Sequence, residues 1–316
     1  MGKKTIITID IGASKIRFVA VNKRKELTEY LDTPSVDLVG WEIKNQELIR
    51  LLEDNIRRSI NNIQKEGNEV SAISIGSPGS LDPIKGIILT PPNLKGIRHL
   101  AIVDELKNIF NIPTFLLNDA DASVQGEWWL REHKKFKDIV YLTLSTGVGS
   151  GILKNNQLLK EKLELGHQPL AIKGAQRLCS CGELNHAEAF LGTKGLAKTY
   201  SDVFEIKTDL KPEEQHSISP RMREGIANSD PEWMAVQETY AKHLAVFLKN
   251  TFLNFYPELI ILGGGIIFGN KPLLEQTKEK LKQLMLDKVI NIELAQSENN
   301  VNLGVAKYAL DRLEQK

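Results

Sequence analysis

The chain's only two cysteines stand one residue apart in LCSCGELNHAEAF (178–190), and His186 follows the second by five positions. A disulfide between Cys179 and Cys181 would close a very small, strained ring. Metal ligation needs two further donors. His186 lies at a suitable spacing, and His167 in ELGHQPL lies 12 residues before Cys179. Two thiolates and two imidazoles make a tetrahedral structural zinc site. The spacing is not that of a zinc finger, and two buried thiols with two surface histidines account for the same residues without a metal.

Four other stretches could do chemistry. In DIGASK (10–15), a glycine turn after a buried strand exposes N–H groups that can cradle phosphate oxygens. There Gly12 supplies backbone, Ser14 a hydroxyl and Lys15 a cation, while Asp10 could hold Mg2+ through water. Taken alone, this stretch is better explained by a plain hairpin turn. LSTGVGSG (144–151) repeats the theme with Thr146, Gly147 and Gly149, and its glycines are crowded for an ordinary hairpin. In LLNDADASVQGE (116–127), Asp119 can accept the proton of a substrate hydroxyl, with Asn118 bonding neighbouring hydroxyls. Helix capping by Asp119 or Asp121 is the competing explanation. In LGGG (262–265), Gly263, Gly264 and Gly265 permit flat approach of a purine or ribose, or simply a tight strand-to-helix connection.

The elements that must position these residues follow from periodicity. TIITID (5–10) and IRFVAV (16–21) predict a hairpin. Residues 45–64 carry Leu48, Leu51, Leu52, Ile56, Ile60 and Ile63 at helical spacing. Strands are predicted at 70–79, running into a Pro-Gly turn, at 113–119, at 138–153 as two strands about a Gly-rich turn, and at 259–266, stopped by three glycines, and helices at 121–133, 232–256 and 272–285. The polar interval 201–231 has no clear pattern. Strand hairpins followed by helices occur twice, which predicts two α/β domains facing a cleft.

Bulk composition fits an ordinary globular protein, with 41% hydrophobic and 26% charged residues over 316 positions. Lys plus Arg is 41 against 40 for Asp plus Glu, so no nucleic-acid or membrane partner is expected on charge. MGKKTIITID runs straight into a strand pattern, without an export signal, and the expected location is the cytoplasm.

Taken together, these stretches resemble the ROK family of sugar kinases and repressors, from Asp10 to NLGVA at 302–306. DIGASK is similar to the family's first phosphate loop, with Ala13 and Ser14 where Gly and Thr are usual. GSPGSLD and TPPNLKG resemble its sugar loops, placing Gly79 and Asn93 at the sugar. NDADASVQGE resembles its catalytic segment, with Asn118 a sugar ligand and Asp119 the base. LSTGVGSGI resembles the second phosphate loop. ELGH matches Glu-x-Gly-His, in which Glu164 binds sugar and His167 serves sugar and zinc. CSCGELNHAEA matches Cys-x-Cys-Gly-x-x-Gly-Cys-x-Glu, with Asn185 in place of Gly and His186 in place of the third cysteine. Glu188 matches the last glutamate, a ligand at the sugar's anomeric end.

The resemblance implies an α/β fold of two actin-like (ribonuclease H-like) domains flanking an active-site cleft. Their expected bounds are 1–118 and 119–300, with a C-terminal helix at about 301–316 packing back on the first. It also implies Mg-ATP-dependent phosphorylation of a hexose, glucose first, with Asp119 as base, a structural Zn2+ on His167, Cys179, Cys181 and His186, and a homodimer or homotetramer. N-acetylhexosamine or fructose kinases are the alternatives. A sugar-responsive regulator is disfavoured, because the phosphate loop begins at Asp10 and leaves no room for a preceding helix-turn-helix.

Overall fold

The computed structural model describes residues 4–12, 16–28, 43–91, 94, 96–131, 135–159, 163–208, 210–285 and 288–315. Contacts divide the chain into two units, Met1–Lys134 with Asn299–Lys316, and Lys135–Glu298.

The first unit runs β1 (Lys4–Ile11), β2 (Ile16–Asn22), β3 (Leu27–Thr28), α1 (Asn45–Lys65), β4 (Glu69–Ser77), β5 (Leu81–Asp82), β6 (Ile87–Ile88), α2 (Ile102–Phe110), β7 (Thr114–Asn118) and α3 (Asp119–Leu130). Its main sheet has the order β3-β2-β1-β4-β7. β1 pairs antiparallel with β2 and parallel with β4, and β4 is parallel to β7. β1 is buried on both faces, with residues 5–9 buried consecutively rather than alternately. α1 covers one face through Leu48, Leu52, Ile56 and Ile63, each worth about 1.5–3 kcal/mol of burial.

The second unit runs β8 (Ile139–Leu144), β9 (Val148–Lys154), β10 (Gln157–Leu158), α4 (Glu188–Leu191), α5 (Thr193–Val203), α6 (Pro212–Ala227), α7 (Pro231–Phe255), β11 (Leu259–Gly263), α8 (Lys271–Met285) and β12 (Ile292–Leu294). The chain then returns to the first unit as α9 (Asn300–Glu314). The sheet order is β10-β9-β8-β11-β12, with β8–β9 antiparallel and β8, β11 and β12 parallel. The two units therefore share one strand plan. The core of the second is dominated by α7, which buries Tyr240, Leu244, Phe247 and Leu248. Asp230 caps α7 by accepting from the Glu232 and Trp233 amides at 2.9 and 3.2 Å.

Three outcomes differ from the sequence reading. The first boundary falls after Lys134 rather than after residue 118, because α3 packs along α9. A Cβ at Gly126 would lie 2.0 Å from the Asn300 carbonyl oxygen, and one at Gly304 would lie 1.7 Å from that of Ala122. The unpatterned interval 201–231 contains α6, which buries Ile218 and Met222. Its apolar stripe is one residue wide per turn, and Pro220 inside it removes a helix hydrogen bond. α2, for which no helix was predicted, buries Ile102 and Leu106. No helix among the described residues is long and apolar enough to cross a membrane.

Candidate functional site

In the first unit, parallel pairing of β1, β4 and β7 brings their carboxyl ends to one edge. Asp10 lies opposite Gly76, and Ser77 opposite Asn118. Neighbouring strands are about 5 Å apart, so Asp10 and the Asn118–Asp119 pair share one strip of the sheet end, where α/β sheets bind ligands. Asn118 is the cap of α3: its Oδ1 accepts from the Ala120 amide at 3.0 Å and the Asp121 amide at 3.3 Å. The cap is thus Asn118, and not Asp119 or Asp121 as the competing explanation had it. Asp119 is half-buried in the first turn, and one of its oxygens accepts from the Ala120 amide at 2.8 Å. Gly12 and Asp10 are half-buried at the end of β1, and Gly79 follows β4 at φ +78°. Ser14, Lys15 and Asn93 lie outside the described residues.

In the second unit, the short turn that carries Glu164 and His167, and the carboxylate of Glu188, both lie against β9 at Val148. A short 3-10 turn, Leu165–His167, begins at the exposed Glu164 and lies against β9, where a Cβ on Gly166 would be 2.1 Å from the Val148 carbonyl oxygen. From the other side, Glu188 Oε2 accepts the Val148 amide at 3.2 Å. The same oxygen would be 2.4 Å from a Cβ on Gly147, so the 145–147 turn closes directly on this carboxylate. Within the turn, the Ser145 amide donates to the Gly147 carbonyl at 3.0 Å, and Thr146 is exposed. Gly149 lies in β9 opposite Thr143.

The glycines at 263–265 divide. Gly263 packs on the Tyr141 hydroxyl, and Gly264, at φ +89°, sits 2.4 Å in Cβ terms from the Leu144 carbonyl oxygen. Close packing explains both. Gly265 is exposed, with nothing within 4 Å of a Cβ, and its carbonyl accepts from Ser219 at 3.3 Å and from Arg223.

His167, Cys179, Cys181 and His186 place one donor atom each within 4.8 Å of one another. The two Nδ1 atoms are 3.2 Å apart, Cys179 Sγ is 3.8 Å from His167 Nδ1, and Cys181 Sγ is 3.2 Å from His186 Nδ1. Tetrahedral zinc with ordinary bond lengths separates such donors by roughly 3.3–3.8 Å. The donor set therefore fits one metal ion. Burial pushes the Cys179 thiol above its ordinary value, a cost that a bound cation offsets.

The loop around the cluster explains one departure from the family pattern. Asn185 takes the left-handed conformation at φ +60°, which asparagine tolerates best after glycine. Its Oδ1 also accepts the Arg177 amide at 2.9 Å. Arg177 itself was not singled out by any sequence signal. Its buried guanidinium donates to Gly195 O at 2.8 Å, Thr199 Oγ1 at 3.1 Å and Asp202 Oδ2 at 3.2 Å, and lies 5.0 Å over the Phe190 ring. These bonds fasten the cysteine loop to α5. A lone arginine beside a cysteine pair has no spacing rule to reveal it.

The profile of the ROK family matches residues 6–311. The chain belongs to the ROK family. A glucokinase of Thermotoga maritima is 30% identical over 242 residues, covering 72% of this chain and 75% of that one. A xylose repressor of Caldicellulosiruptor bescii is 27% identical over 290 residues, covering 88% and 70%. Among solved structures, a ROK family glucokinase from Streptomyces griseus, in complex with glucose and AMPPNP, superposes with a TM-score of 0.74 at 21% identity, covering 97% and 99%. Both units thus have the actin-like α/β fold of this ROK protein.

Proposed function

We propose that the chain is a sugar kinase that transfers the γ-phosphoryl group of ATP to a hexose hydroxyl, with glucose as the first substrate to test. The observation that carries this reading is Asp119, a carboxylate in the first turn of α3 beside the Asn118 cap and on the same sheet end as Asp10. Asp119 takes the proton of the attacking hydroxyl as its oxygen reaches the γ-phosphorus and ADP departs. Glu164, His167 and Glu188 supply acceptors for ring hydroxyls, and Asn118, Gly79 and Asn93 are assigned to the sugar with them. The Gly12–Lys15 segment, with Ser14 for a hydroxyl and Lys15 for a cation, and the amides at Thr146–Gly149 are assigned to the phosphates. Mg2+ bound with ATP neutralises charge on the phosphates, and Asp10 would hold it through water. Of the glycines after β11, Gly265 has the open space to face the nucleoside.

His167, Cys179, Cys181 and His186 would hold a structural zinc ion that pins the loop between two sugar ligands, His167 and Glu188. The support is the donor geometry and the anchoring of the loop by Arg177. The cytoplasm and a homodimer or homotetramer fit this role.

A coupled assay of ADP release over a panel of hexoses and N-acetylhexosamines, with ATP as donor, tests the reading. Sugar-dependent ADP release, greatest with glucose, is expected. The likeness to a xylose repressor favours a second reading, a sugar-responsive regulator, and sugar binding with no ADP release from any member of the panel would select it.

A further inference from the structure

Thr193 opens α5 and is bonded to the 145–147 turn twice over. Its amide donates to Ser145 O at 2.9 Å and Thr146 O at 3.3 Å, and its Oγ1 donates to Ser145 O at 3.0 Å. The third carbonyl of the turn, that of Gly147, accepts the Ser145 amide at 3.0 Å. All three carbonyl oxygens of the turn are thus bonded within the protein.

This fixes which way the turn's amides face. In a trans peptide, C=O and N–H point in opposite directions. The Ser145 and Thr146 carbonyls point at the start of α5, whose partial positive charge attracts them. The N–H groups of Thr146 and Gly147 share those peptide planes and so point away from α5. Gly192, before Thr193, permits the approach, since a Cβ there would be 2.9 Å from Thr146 O. α5 is held independently by Arg177 at Gly195 and Thr199, while the Tyr240 hydroxyl donates to Leu191 O at 2.7 Å just before it. Loss of the Thr193 hydroxyl alone leaves those bonds in place.

We propose that Thr193 is a positioning residue for a nucleoside triphosphate: by tying down the Ser145 carbonyl it makes the turn present amide donors, and no oxygen lone pair, to the phosphates. The inference rests on the assignment of this turn to phosphate binding. Rotation of the 145–146 peptide would aim a carbonyl oxygen at an anion, and the hydroxyl bond biases the turn against it.

The test is calorimetric binding of AMPPNP and, separately, of glucose to the intact chain and to Thr193→Val, Thr193→Ala and Thr193→Ser. The valine and alanine variants are expected to bind AMPPNP about fivefold more weakly, the effect of one hydrogen bond, with glucose binding unchanged within twofold. Serine, which keeps the hydroxyl, restores AMPPNP binding. Should the valine variant not fold, alanine, which adds no methyl, gives the same reading. Nucleotide binding equal to wild type in the folded valine or alanine variant, or equal weakening of both ligands, overturns the role of Thr193. Failure of the wild-type chain itself to bind AMPPNP overturns the kinase reading and this inference with it.

Discussion

The two units share one strand plan and differ in what stands at the strand ends. In the first, the ends of β1 and β7 carry Asp10 and the Asn118–Asp119 pair. In the second, β8 ends at Leu144 and β11 at Gly263, and the polar groups come from elsewhere: the 145–147 turn, Glu164, and the cysteine loop that delivers Glu188. The first unit displays carboxylate and carboxamide side chains at its strand ends, and the second displays a loop turn and the carboxylate of Glu188, which accepts the Val148 amide. A duplicated sheet thus supplies two frames, and the loops give them different chemistry. Their reinforcement differs as well. The first is closed by helix packing of α3 on α9, the second by a metal-type cluster and a buried arginine.

That contrast can be broken one unit at a time, with calorimetric unfolding resolving the two transitions. The largest effect is expected for Gly304→Leu, whose side chain meets the Ala122 backbone. A loss of more than about 4 kcal/mol, or failure of the first unit to fold, is expected, with the second transition unmoved. Next comes the metal. Purified protein should contain zinc in one-to-one ratio. Removal by a chelator, or Cys181→Ser, should lower the second transition by about 4 kcal/mol when zinc stood at a thousandfold over its Kd.

Acid should also act on the second unit. His243 on α7 is buried against Phe190, with its ring held neutral down to about pH 4 by burial first and then by the Arg177 charge, with an opposing pull from Asp202 and a smaller push from Lys242. The unfolded chain takes up that proton near the ordinary histidine value of about 6.5. Between these values the unfolded state binds more protons, so stability falls as pH drops, by about 3 kcal/mol in all. His243→Leu should remove that component, seen as the difference between the two proteins' pH profiles. The smallest effect concerns Asn185. Asn185→Val should cost about 2 kcal/mol through left-handed strain and the lost bond to Arg177, whereas Asn185→Gly keeps the conformation and should cost under about 1 kcal/mol.

The same contrast explains what the sequence made legible. The amphipathic α1 declares itself because one-sided burial writes a period into it, and β1 and β4 because two-sided burial makes them short runs rich in β-branched residues. The four metal-type donors were readable because cysteine is scarce and its chemistry narrow. α6 was unreadable because one buried residue per turn sets no strong period and a proline interrupts it. Gly126 and Gly304 are 178 positions apart, so nothing local marks them as the contact that carries α3 into the first unit. Arg177 and Thr193 escaped for a related reason. Each acts on backbone carbonyls of another segment, which leave no trace in residue type. Asn185, a departure from the family motif, is a residue suited to its backbone angle.

The most direct measurement is turnover and sugar binding of Asp119→Asn. If Asp119 is the base, the variant should bind glucose within about twofold of wild type and lose roughly 10²–10⁴ in kcat, the usual contribution of a general base. Glucose phosphorylation by this variant at near wild-type rate would contradict the account.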